Sequence, residues 1–116
     1  MRKVTIYHNP RCSKSRQTLE LLKDRKFDPE IILYLERNPT ASELTTLVGL
    51  LGMTPRELLR TGEPEYKEMQ LNNTDLSDAD IIKAMVDAPI LIQRPIVVCG
   101  DKALLGRPPE QVLKII

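Results

Sequence analysis

The stretch "KVTIYHNPRCSKSR" (residues 3–16) sets a short β-prone run, ending at Tyr7, before a loop that holds a cysteine, and sets that loop before a helical pattern. Residues 14–26 carry Leu19, Leu21 and Leu22 among Lys, Arg, Gln and Glu, as an amphipathic helix does. After Pro29, "EIILYL" (residues 30–35) is a near-continuous apolar run and is expected to form a buried strand. The opening therefore reads as a βαβ unit, with a right-handed crossover and parallel strands.

Further along, Thr40 and Glu43 stand at capping-box spacing, which predicts a helix over 41–51 stopped by Gly52. Thr54, Pro55 and Glu57 repeat the device for a short helix ending near Arg60, with Gly62 and Pro64 as breakers. Ser77 starts a third capped helix that ends by Pro89. The C-terminal part reads as a strand at 96–99, a tight turn at Gly100-Asp101, a strand at 102–105 and a final helix from about 109. The order β-α-β, helical insertion at about 40–92, β-β-α makes this an α/β chain with the element order of a thioredoxin-like fold, expected as one domain over 1–116. In that fold the active thiol follows the first strand at the start of the first helix, and the proline before the third strand, here Pro95, is expected to be cis and to face the active loop.

Bulk composition narrows the function. With 116 residues, 41% hydrophobic and 28% charged, the chain suits one globular core. No run approaches the roughly 20 apolar residues that span a membrane, and the short apolar start meets His8, Asn9 and Pro10 too soon for a secretory signal. A cytoplasmic protein with no membrane association is expected. Net charge is +1 with both signs mixed along the chain, so no footprint for nucleic acid exists. The two cysteines form neither a CxxC pair nor zinc-type spacing, so no metal site and no bound cofactor are expected. Cys99, in "PIVVC", reads as an inert buried strand residue.

Cys12 differs. A free thiol ionises near pH 8.5, and a helix N-terminus or nearby cations lower that value. The amides of residues 13–15 are expected to point at the Cys12 sulfur, with Arg11, Lys14, Arg16 and His8 close in sequence. The same turn, Ser13, Lys14 and Ser15, suits an oxyanion. The competing reading makes Cys12 an incidental surface cysteine on a solvated basic face, and His8 a hydrogen-bonded strand-end histidine. Arg16 stands too close behind Cys12 for the cysteine–arginine loop of the protein phosphatases, and no Walker-type glycine loop is present. Ser15 occupies the place of a thioredoxin's second cysteine, so any redox cycle needs a thiol from outside. Arg60, Arg94 and Arg107 taken singly are ordinary surface residues; a fold that converges them makes a site for a tetrahedral anion.

The stretches "TIYHNPRCSKSR", "YLE", "ELLR", "PILIQRPIVV" and "GRPPEQVL", spread over essentially the whole chain, resemble the glutaredoxin-dependent arsenate reductases and their short relatives. The resemblance implies Cys12 as nucleophile, His8 favouring its thiolate, and Arg60, Arg94 and Arg107 binding the oxyanion and intermediates. It implies arsenate as substrate, glutathione as co-substrate and glutaredoxin as partner; the protein itself is expected to be a monomer. The chain ends at Ile116 while longer members of the family continue, and Ser13 and Lys14 stand where some members carry small residues. Two alternatives keep the same fold: a thiol oxidoreductase acting on glutathione mixed disulfides or another oxyanion, and a thiol-stress regulator that binds RNA polymerase. Regulators of that kind usually carry a CxxC switch, which Ser15 removes here.

Overall fold

The β-prone run at the start of the chain forms a strand, Val4–Tyr7 (β1), inside a four-stranded sheet; the computed structural model describes residues 3–116. Its neighbours are Glu30–Ile32 (β2), parallel, and Ile96–Cys99 (β3), antiparallel; Lys102–Leu105 (β4) pairs antiparallel with β3. The order β2-β1-β3-β4 is that of a thioredoxin-like fold. Register follows the apolar pattern: Ile6 lies opposite Ile31 on one side and Val97 on the other. Gly100, with φ of 63°, makes the turn between β3 and β4 that an L side chain resists.

Helix Ser13–Asp24 (α1) crosses between β1 and β2 and buries Ser15, Thr18 and Leu22. Leu22 joins Val4, Ile6, Val97, Cys99, Val112 and Ile115 in one apolar cluster. Cys99 is thus an interior strand residue, and both thiols are free. The last segment, expected as a helix, is a 3₁₀ helix at Pro109–Lys114. Six residues, the first of them the second proline of a pair, give little length for α-helical bonds, and the tighter pitch still seats Val112 in the core.

These elements form one unit, running through Arg37 and resuming at Arg94–Ile116; Asn38–Gln93 form another. The second unit holds Ala41–Leu51 (α2), Pro55–Leu58 (α3), Pro64–Glu68 (α4) and Asp78–Asp87 (α5). Thr40, Thr54 and Ser77 each close a full capping box, with Glu43, Glu57 and Asp80 as partners. Gly52 ends α2 in the left-handed conformation, φ 66°. Leu44, Leu47, Leu58, Ile81, Met85 and Leu91 are buried within this unit. Pro64 starts α4 instead of breaking the chain, because its fixed φ suits a first helical position. Among the described residues no helix is long and apolar enough to cross a membrane.

The run at 30–35 differs most from expectation. Only Glu30–Ile32 are strand, and the chain then turns, with the Glu36 and Arg37 amides both donating to the Leu33 carbonyl. As an edge strand β2 needs pairing on one side only, so Ile31 stays 42% exposed while Tyr34, in the turn, goes inside. Leu22→Ala should therefore destabilise the protein by about 2–5 kcal/mol in urea unfolding, and Ile31→Ala by less than about 0.5. Equal losses would contradict this placement of the apolar run.

Candidate active site

Cys12 is the N-cap of α1, with extended backbone, and it is 8% exposed. The loop before it is tied down by Asn9. The Asn9 carbonyl accepts the Cys12 N–H at 3.0 Å, and its side-chain Oδ1 accepts the Arg11 N–H at 3.0 Å. That is an Asx-type turn, which the Asn-Pro dipeptide signals and which the sequence reading passed over. The loop therefore holds the sulfur over the free amides of the first helical turn.

Burial of the sulfur opposes ionisation, yet the Cys12 thiol is held below its ordinary range. The Ser15 N–H, the Arg94 guanidinium as both donor and charge, and the Lys14 N–H outweigh the burial. The cations adjacent in sequence do less than expected. Arg11, Lys14 and Arg16 are exposed, Arg16 Nη1 donates to the Pro10 carbonyl at 2.9 Å, and Lys14 acts through its backbone amide. The charge that meets the thiolate comes from Arg94, at the far end of the sequence.

His8 is tied into the same loop. Its Nδ1 lies 2.6 Å from Ser15 Oγ, which in turn accepts the Asn9 N–H at 3.0 Å, and all three residues are buried. Burial, then the charges of Arg16 and Lys23, hold the imidazole below its ordinary pKa, so it is neutral at pH 7. Because Ser15 Oγ already accepts the Asn9 N–H, the assignment that uses the hydroxyl proton has it donated to Nδ1, with the His8 proton on Nε2. His8 thus supplies no positive charge to Cys12. Ser15 reaches the sulfur with its amide, and its hydroxyl is committed to the loop. Ser13 is the first helical residue and its side chain is exposed.

The peptide bonds Arg94-Pro95 and Arg107-Pro108 are both cis; only the first was expected. Arg107 Nε donates to the Arg94 carbonyl at 2.8 Å, so two of the three arginines expected to bind an anion are linked directly. Among the described residues Arg94 Nε and Nη1 are buried without a hydrogen-bond partner, leaving two charged donors beside the nucleophile. Arg60 belongs to the second unit. There its amide donates to the Leu91 carbonyl at 2.7 Å and its Nη1 lies 2.6 Å from Glu63 Oε1, an ion pair that the sequence reading did not anticipate.

A buried thiol of lowered proton affinity on a helix N-terminus, with arginine against it, in a thioredoxin-like unit, defines a thiol-dependent protein. A family model matches residues 7–115, and the chain belongs to the ArsC family. The Escherichia coli protein YfgD, described as uncharacterised, is 54% identical over 116 residues, 99% of this chain and 98% of its own length. The arsenate reductase of Haemophilus influenzae is 48% identical over 114 residues, 97% of this chain and 98% of its own. An arsenate reductase from Vibrio cholerae superposes with a TM-score of 0.97 at 49% identity, covering 99% of this chain and 98% of that one.

The neutral His8 makes stability depend on pH. Its folded pKa is below the unfolded value of about 6.5, so between those values the unfolded chain takes a proton that the folded chain refuses. That contribution is fully present above pH 6.5 and is lost as pH falls through the folded pKa. Urea midpoints should drop more from pH 7.5 to pH 5 in wild type than in His8→Gln. Parallel declines would mean that His8 is not held neutral.

Proposed function

We propose that the protein is a cytoplasmic arsenate reductase in which Cys12 is the nucleophile and glutathione with glutaredoxin supplies the electrons. The observation that carries this reading is Arg94. Its guanidinium meets the Cys12 sulfur and keeps two buried donors, Nε and Nη1, without partners among the described residues. Such a group lowers the thiol's proton affinity and offers charged hydrogen bonds to an oxyanion at the same place. The arsenate reductases of Haemophilus influenzae and Vibrio cholerae match this chain over 98% of their own length, and other relatives of that name are covered to 82%.

In the proposed reaction the Cys12 thiolate attacks As(V) and an arsenate oxygen leaves as water, giving a sulfur–arsenic bond. A glutathione thiol then forms a disulfide with the Cys12 sulfur. The electron pair of the broken S–As bond stays on arsenic, which departs as As(III). A glutaredoxin thiol attacks that disulfide and restores Cys12. Ser15 in place of a second active-loop cysteine, and a Cys99 that is buried in β3, favour an external reductant. Arg107 is proposed to contact the anion or its intermediates, with Ser13, Lys14 and Ser15 contributing amides.

NADPH consumption in the presence of arsenate, glutathione, glutaredoxin and glutathione reductase tests this. Saturable turnover is expected in wild type, none in Cys12→Ser, most of it in Cys99→Ala, and a loss of about 100-fold in kcat/KM in Arg94→Ala. Turnover of glutathione mixed disulfides with none of arsenate would move the assignment to the disulfide-reducing alternative.

A further inference from the structure

Gly106, the residue after β4, sits where three parts of the thiolate cradle meet. Its N–H donates to the Pro95 carbonyl at 2.9 Å, and its successor Arg107 donates through Nε to the Arg94 carbonyl at 2.8 Å. This pair of bonds fixes the backbone from which the Arg94 side chain reaches Cys12. On the other side is α1. A Cβ placed on Gly106 would collide with Thr18 Oγ1 and lie 2.7 Å from Pro95 Cγ and 3.1 Å from Thr18 Cγ2. Thr18 is fully buried and its hydroxyl donates to the Lys14 carbonyl at 2.8 Å, within the turn whose amides face the sulfur. The neighbours are a proline ring and a buried β-branched side chain, neither able to swing aside.

We propose that Gly106 is a positioning residue: having no side chain, it sets the gap between the Arg94-Pro95 segment and the first turn of α1, and so brings guanidinium and helix amides onto one sulfur. The need here is for close approach. The proposal goes beyond the reductase reading, because it concerns the Cys12 thiol whatever that thiol attacks.

The test is the pH dependence of iodoacetamide alkylation at Cys12, followed by peptide mass mapping. Wild type is compared with Gly106→Ala and with Gly106→Ala/Thr18→Ala, folding being checked by circular dichroism. A methyl at 106 should wedge the two parts apart and raise the midpoint by about one unit, a roughly tenfold fall in rate below the midpoint. Removing the Thr18 hydroxyl and methyl in the double variant should recover part of the shift. A purely structural glycine would lower the unfolding midpoint and leave the thiol titration of the folded protein unchanged. An unchanged midpoint in whichever variant folds overturns the proposal, as does failure of both to fold, which would assign Gly106 to helix–sheet packing. Because the readout needs no arsenate, it stands even if the reductase assay fails.

Discussion

A buried sulfur with a lowered proton affinity is the constraint on which the site depends. Removing a thiolate from water favours the neutral thiol, so the fold has to supply more than burial takes away. It does so from two directions: the Lys14 and Ser15 amides that a helix start leaves unbonded, and a guanidinium from the segment entering β3. Neither group is useful unless the sheet brings the ends of β1 and β3 together, and their antiparallel pairing, with Tyr7 opposite Ile96, does that. The core beneath, with Ile6, Leu22 and Val97, holds the arrangement in place.

This division of labour also gives His8 a different role from a charge donor. A cationic imidazole near the thiolate would be a second source of positive charge, but burial and the charges of Arg16 and Lys23 keep His8 neutral. Through Ser15 Oγ it joins the Asn9 amide in fixing the loop that presents Cys12. A neutral residue in that place costs less to bury than a charge does.

Much of the fold was legible because local devices state it outright. The boxes at Thr40, Thr54 and Ser77, the glycine stops and the turn at Gly100 mark element ends within a few residues. The run at 30–35 misled because apolar composition alone does not distinguish an interior strand from an edge strand followed by a turn. The nucleophile was legible from its place between a strand and a helix. The amides around it were legible too, and Arg94 stood out as an anion-binding candidate; sequence proximity misled only on which cation meets the sulfur, favouring Arg11, Lys14 and Arg16 over Arg94. Gly106 carried no local signal at all: a glycine before Arg-Pro reads as a turn residue, and its contacts with Thr18 and Pro95 exist only in the folded chain.

The Cys12 thiol titration in the wild-type protein tests the central claim most directly, read as alkylation rate against pH at the Cys12 peptide. The cradle predicts a midpoint a unit or more below the ordinary value of about 8.5, each unit being about 1.4 kcal/mol of preference for the thiolate. A midpoint at or above 8.5 would show that burial wins over the amides and Arg94, and would contradict this account of the site.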